Sequence, residues 1–248
     1  MSEVSMAGGN SNEVHRRGDI VLRSTGHWSS AVAQLLDILE ERKVDGVPRH
    51  LGFDQDGREM LSFLPGEAAH YPLPEWLWKD DILRDSGRLL RRLHDASADF
   101  ALSAETASLT WQLPVREPIE VICHNDFAPY NLLFDDERLV GVIDFDTASP
   151  GPRVWDLAYL AYRLMPFGED AGADAPSADV RLDRLDALIE SYGSVYYRSQ
   201  ILQTMADRLE ALAAFTEGRA SETGRSDFAE HAAMYTRDAC AAQALALA

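Results

Sequence analysis

The stretch VICHNDFAPYNLLFDDERLVGVIDFDTASPG, Val121 to Gly151, constrains this chain more than any other. It sets His124, Asp126, Asn131, Asp144 and Asp146 between short apolar runs, where a strand pair should be building core. Val121–Cys123, Leu132–Phe134 and Leu139–Phe145 read as strands, the last two joined by the acidic turn Asp135-Asp136-Glu137. Asp126 and Asn131 then fall on a loop between strands, where side chains can point at a ligand. Asp144 ends the run Val140–Ile143, apolar except for Gly141. A carboxylate beside such a strand is costly unless compensated, and a metal ion is one means of compensation.

The spacing is H-x-D-x-x-x-x-N followed by I-D-F-D. Phosphoryl transfer needs such a set. One Asp accepts or orients the proton of the attacking hydroxyl, while an Asn and a second Asp hold Mg2+ on the nucleotide phosphates. A turn role for Asp126 and Asn131, residue types that favour turns, explains neither the full spacing nor the pair Asp144 and Asp146.

At 248 residues the chain can form one large domain or two lobes sharing a cleft. A hydrophobic content of 46% excludes general disorder. No window approaches the ~18 consecutive apolar residues of a membrane helix. The opening MSEVSMAGGNSNEVH lacks the basic start and apolar core of a secretory signal. Two cysteines make no disulfide framework, and a cytoplasmic setting is expected. The net charge of −18 disfavours nucleic acid and anionic membrane as partners. The excess is uneven: residues 1–66 carry 7 basic and 10 acidic side chains, residues 67–248 carry 16 and 31. Solubility is one reading, and an electrostatic preference for a cationic small molecule is the other.

The chain has two textures. Residues 10–64 read as strands with one inserted helix. Glu13–Arg17 and Ile20–Arg23 flank Gly18-Asp19 as a hairpin, and Leu51–Phe53 and Glu59–Leu64 flank DQDG as another. Ser30–Glu41 has Val32, Leu35, Leu36 and Leu39 on one helix face. Pro65-Gly66 breaks the pattern, so the boundary is placed there, between residues 1–65 and 66–248. Beyond it, helices are expected at Ile82–Ala96, at Val180–Tyr192 with Gly193 as its stop, and along Ile201, Leu202, Met205, Leu209, Leu212 and Phe215. PFGEDAGADAPSAD reads as a loop.

CHNDFAPYNLLF resembles the catalytic loop of the aminoglycoside phosphotransferase and choline kinase family, relatives of protein kinases. GVIDFDTASPGPRVWDLAYLAYR resembles that family's metal segment and following helix. GGNSN, DIVLR, LSFLPGE, GRLLRRLHD and LIESYG follow in the family's order. The resemblance implies an α+β, two-lobed protein-kinase-like fold, with a small β-rich N-terminal nucleotide lobe and a larger, mostly helical lobe for catalysis and the acceptor. It implies ATP or GTP and Mg2+ as cofactors and a small-molecule acceptor as partner. Asp126 would be the catalytic base, with Asn131 and Asp144 as metal ligands. Gly8, Gly9, Asn10 and Ser11 would cover the phosphates, and Arg23 would take the place of the family's phosphate-binding Lys or Arg. Ser62, Phe63 and Leu64 would line the base of the nucleotide. His124 would brace the loop, while Asp146 would join the metal or face the acceptor.

One departure stands out. The family carries a Glu on the small-lobe helix to pair with the strand Lys or Arg, and here that place falls at Val32 or a neighbour. GHWSSAVAQLLDILE with GREMLSF is similar to bacterial trifolitoxin immunity proteins within the same superfamily. Two other readings follow. One is a weakly catalytic protein of this fold that gives immunity by sequestering a peptide or antibiotic. The other is a hydrolase with His124, Asp126, Asp144 and Asp146 on a metal.

Overall fold

The computed structural model describes residues 3–6, 14–172, 174–193 and 196–247. The expected phosphate-covering residues Gly8, Gly9, Asn10 and Ser11 lie outside them. The chain divides into two compact units. One comprises Met1–Ala68, Arg92–Asp126 and Tyr130–Arg153; the other comprises Ala69–Arg91, Phe127–Pro129 and Val154–Ala248.

The first unit contains an antiparallel sheet in the spatial order β1 (Val4–Met6), β2 (Val14–Arg17), β3 (Ile20–Arg23), β5 (Glu59–Ser62), β4 (His50–Phe53). Both sequence-predicted hairpins form. Gly18 turns β2 into β3 at φ 63. In the other hairpin the Asp54 carboxylate accepts the N–H groups of Asp56 and Arg58. Between β3 and β4 the helix α1 (Ser29–Glu41) buries Ala31, Val32, Leu35, Leu36 and Leu39, the stripe set by its i, i+3, i+4 spacing. Each buried leucine contributes roughly 1.5–3 kcal/mol relative to exposure.

Two smaller sheets complete this unit. β7 (Val121–Cys123) pairs antiparallel with β10 (Ser149–Gly151). β6 (Glu67–Ala68), β8 (Leu132–Asp135) and β9 (Arg138–Val142) form an antiparallel sheet in that order. Asp136 and Glu137, at φ 47 and 60, take the two left-handed positions of a tight hairpin between β8 and β9. β9 stops at Val142, short of the expected Phe145. The Ile143 N–H turns instead to the Asn131 carbonyl, and Asp144 adopts φ 65.

A backbone-to-backbone contact ties the α1–β4 connection to β9. The Gly46 carbonyl, on a residue at φ 82, accepts the Val142 N–H at 2.8 Å. A Cβ on Gly141 would lie 2.6 Å from that carbonyl oxygen, and one on Gly46 would lie 2.8 Å from the Val140 carbonyl oxygen. Only glycines permit the approach.

The second unit is helical. It holds the first half of α2 (Asp80–Ala101), most of α3 (Arg153–Leu164), then α4 (Ala178–Tyr192), α5 (Arg198–Thr223) and α6 (Ser226–Ala246). Its core gathers Leu157, Leu160, Leu164, Leu185, Leu188, Tyr192, Ile201, Leu202, Met205 and Leu209. Gly193 ends α4 at φ 72, as its position predicts. Phe215, expected on the apolar stripe of α5, is 57% exposed, because the buried face drifts to Ala213 and Thr216. The helix α6 is not legible from leucine periodicity. It buries Ala232, Ala239 and Ala242, and its Asp238 accepts the Tyr162 hydroxyl at 2.7 Å. Beside it the buried Arg163 bonds Tyr71, Tyr159, Asp170 and Tyr235, tying α3 to α6. Among the described residues, no helix is long and apolar enough to cross a membrane.

The Gly46–Gly141 contact generates a prediction. Gly141→Ala must push Gly46 off β9 and lengthen the Val142 hydrogen bond. We expect a loss of about 1–3 kcal/mol, a fall in Tm of roughly 2–12 °C for a chain of this size. Thermal unfolding by circular dichroism reads it; an unchanged Tm would show that the contact carries no weight.

Candidate functional site

The loop after β7 begins at His124 and ends in a 3-10 turn at Pro129–Asn131. Asn125 lies at φ 63, a conformation that asparagine tolerates better than most residues. Its amide donates to the Thr147 carbonyl and the Ser149 hydroxyl, both at 2.9 Å. The Thr147 hydroxyl donates to the His124 carbonyl at 2.9 Å. His124 Nδ1 accepts the Asp126 N–H at 3.2 Å, and its Nε2 lies 3.1 Å from the Ile143 carbonyl. Both ring nitrogens are thus committed to the backbone. His124 braces two loops, and the metal-hydrolase set loses its histidine ligand.

Asn131 and Asp126 are directly bonded. The Asn131 amide donates to the Asp126 backbone carbonyl and to Asp126 Oδ2, both at 2.9 Å. With its NH2 end turned to Asp126, the amide presents its oxygen elsewhere. Tyr130 donates its hydroxyl to Asp126 Oδ1 at 2.6 Å. Both oxygens of Asp126 are therefore engaged by side chains of the next turn.

The second half of the site is a charge cluster around Arg23, the last residue of β3. Arg23 stands directly opposite Glu59 on β5, and its Nε donates to Glu59 Oε2 at 2.5 Å. Its Nη2 lies 2.7 Å from Asp146 Oδ1, and its Nη1 lies 3.7 Å from Asp144 Oδ1. The Asp146 contact is an ion pair without the alignment of a hydrogen bond. One guanidinium thus serves three carboxylates. The Glu59 side chain is 0% exposed, Asp146 is 15% and Asp144 is 49%. Desolvation by the surrounding protein, and then the Asp146 carboxylate, raise Asp144 above the ordinary carboxylate range, with Arg23 opposing.

Glu59 accounts for the acidic residue absent from α1. On α1 itself, Asp37 faces His50 and Glu40 faces Arg49. The sequence carried a signal for Glu59. It shares strand parity with the buried Leu61, so a charged residue occupied an inward position. Tyr130 carried no such signal, since its direction depends on the 3-10 turn. Ser62, Phe63 and Leu64 lie at and just beyond the end of β5. Ser62 exchanges hydrogen bonds with Arg49, and Phe63 donates its N–H to Asp19 and lies under the Arg16 guanidinium. Their bonds run to these residues and not to the Asp126 group.

The donor set fits a hard divalent cation. It offers the carboxylates of Asp144 and Asp146 and the amide oxygen of Asn131, and oxygen ligands are those that Mg2+ takes. The carboxylate surplus around Arg23 is the charge such a cation would offset. The arrangement also ties the Asp126–Asn131 pair to this set through the bond from the Ile143 N–H to the Asn131 carbonyl, at 2.9 Å.

Residues 101–190 match the Phosphotransferase enzyme family. The trifolitoxin immunity protein of Rhizobium leguminosarum bv. trifolii is 34% identical over 197 residues, covering 77% of this chain and 74% of that protein. An ethanolamine kinase of Plasmodium vivax superposes with a TM-score of 0.67 at 13% identity, covering 96% of this chain and 81% of the kinase. An amicoumacin kinase in complex with AMP-PNP, Ca2+ and Ami gives a TM-score of 0.66 at 11% identity, covering 98% and 88%. The fold is therefore protein-kinase-like, α+β, with a sheet-rich N-terminal region and a helical C-terminal region.

The Arg23 cluster predicts an asymmetry. Arg23→Ala leaves three carboxylates uncompensated and should cost roughly 3–5 kcal/mol, as for a broken buried pair. Glu59→Gln leaves Arg23 with two carboxylates and should cost less, about 1–2 kcal/mol. Asp144, already held above the ordinary carboxylate range, loses in Arg23→Ala the cation that opposes that shift. Its protonated form is then favoured on folding, so the deficit should shrink as pH falls into the carboxylate range and grow as pH rises through it. Urea unfolding of both variants across pH reads this; equal deficits at every pH would contradict the shared-cation arrangement.

Proposed function

Because the chain belongs to the aminoglycoside phosphotransferase and choline kinase-like family, we propose that it moves the terminal phosphoryl group of ATP or GTP to a hydroxyl of a small cationic molecule in the cytoplasm. The observation that carries this is the bonded pair Asp126–Asn131, linked through Ile143 to the Asp144–Asp146–Arg23 cluster. A proton acceptor, a cation-binding oxygen set and a fixed guanidinium are the parts that positioning and charge stabilisation require.

In this reading Asp126 takes the proton of the acceptor hydroxyl as it attacks the phosphorus, with no covalent enzyme intermediate. Asn131 holds Asp126 Oδ2 with its NH2, and its amide oxygen and Asp144 would hold Mg2+. The ion, when bound, neutralises phosphate charge. Arg23 faces the phosphates, held by Glu59. Gly8, Gly9, Asn10 and Ser11, outside the described residues, would cover the phosphates, and Ser62, Phe63 and Leu64 would line the nucleotide base. Residues 1–65 serve the nucleotide, and residues 66–248 serve catalysis and the acceptor. The excess of 31 acidic over 16 basic side chains in residues 67–248 supports a cationic acceptor. The test is a screen of hydroxyl-bearing amines for acceptor-dependent ADP or GDP release. Tight nucleotide and amine binding with no turnover under any acceptor would replace this reading with sequestration.

Two predictions follow from the assigned roles. Asp126→Asn should preserve fold and nucleotide binding while lowering kcat by roughly 10²-fold or more, the cost of losing a positioned proton acceptor. Phosphotransfer at the unsubstituted rate would remove Asp126 as the base. Asp144→Ala should abolish the Mg2+-dependent part of nucleotide binding. Thermal shift with ATP, with and without Mg2+, measures it; an equal Mg2+-dependent shift in variant and parent would contradict the ligand role.

A further inference from the structure

We propose that Tyr130 is an acceptor-site positioning residue whose hydroxyl occupies the base Asp126 until the acceptor's hydroxyl displaces it. The inference rests on the phosphotransferase reading and extends it to the acceptor-free state. A hydroxyl that is about to attack must donate its proton to Asp126. The Tyr130 hydroxyl already makes that bond, at 2.6 Å to Oδ1, within the range of about 2.5–2.7 Å for a hydroxyl on an ionised carboxylate. The other oxygen, Oδ2, is held by the buried Asn131, whose amide also grips the Asp126 carbonyl. Asn131 is thus the fixed partner. Tyr130 is half-buried, as Asp126 is, and both reach solvent.

The arrangement answers a problem that every such enzyme faces. With nucleotide bound and no acceptor present, water can take the acceptor's place. Water then attacks the terminal phosphorus, its proton passes to Asp126, the bond from that phosphorus to the bridging oxygen breaks, and the nucleoside diphosphate leaves with inorganic phosphate as the second product. Keeping water from the reacting centre suppresses this loss. A phenol on Oδ1 does so locally. It donates to the oxygen that water would use. An acceptor with a hydroxyl and its own binding contacts can displace the phenol, whereas water has no such contacts.

The test needs no identified acceptor, because water is the probe. Tyr130→Phe keeps the ring and removes only the hydroxyl. We expect acceptor-free, Mg2+-dependent ATP hydrolysis to rise about tenfold, the lower end of what one hydrogen bond to a charged group is worth. The gain should vanish in Tyr130→Phe/Asp126→Asn, because the uncovered group is Asp126. A merely structural role would lower hydrolysis and not raise it. Hydrolysis equal to or below that of the parent, or a gain that persists in the double variant, overturns the assignment. Mg2+-ATP thermal stabilisation of the unsubstituted protein separates the two levels. Its absence removes the nucleotide reading and this inference together, while its presence with no gain removes the Tyr130 inference alone.

Discussion

One guanidinium shared by three carboxylates governs this site. Arg23 cannot neutralise Glu59, Asp146 and Asp144 together, so a negative surplus remains. What makes the cluster tenable is the ordering of exposure. Glu59 has no exposed surface and takes the shortest bond, Asp146 is slightly open, and Asp144 is half open at the longest distance. The most buried charge receives the best compensation, where a low local dielectric makes compensation worth most. The surplus is left on the carboxylate that solvent can reach. A divalent cation bound there would meet an incompletely balanced acid.

The partner of Arg23 comes from the same sheet and not from α1. Arg23 and Glu59 are paired residues of adjacent strands, so the ladder between β3 and β5 sets their alignment. A slip of one residue would send Glu59 to the opposite face. The packing that fixes the register, including Leu22 and Leu61 in the core, therefore also fixes the direction of the guanidinium. The helix α1 contributes a buried apolar face and carries no acidic residue in its first turn. Its own orientation is not part of the ionic arrangement.

What could be read from the sequence was local, and what could not was long-range. Asp126, Asn131 and Asp144 announce themselves because strand ends and turns separate them within a single short stretch. Both N-terminal hairpins and the Gly193 stop were legible for the same reason. Glu59 lies 36 residues from Arg23 and becomes its partner only through the register of β3 on β5, which no local pattern reports. The helix α6 escaped because alanines and an aspartate make its contacts, and small residues leave no periodic apolar signal. Phe215 misled for the converse reason: on a helix as long as α5, a stripe begun at Ile201 rotates away from the core before the helix ends.

Asp126 and the pair Asp144 and Asp146 sit on different loops, joined by hydrogen bonds that each have a backbone group on at least one side. The Ile143 N–H bonds Asn131, the Ile143 carbonyl meets His124, Thr147 bonds His124, and Asn125 bonds Thr147 in return. Such links do not depend on rotamers of exposed side chains, so the two loops hold their spacing before any ligand arrives. The left-handed backbone of Asp144 is the cost, about 1 kcal/mol for a residue other than glycine. Neighbouring residues meet it. Ile143 on one side is anchored to Asn131 and His124, and Asp146 on the other is drawn to Arg23. Because the turn is held from both flanks, the Asp144 carboxylate needs no tight bond of its own to keep its place. It can remain half open at 3.7 Å from Arg23, oriented but not consumed.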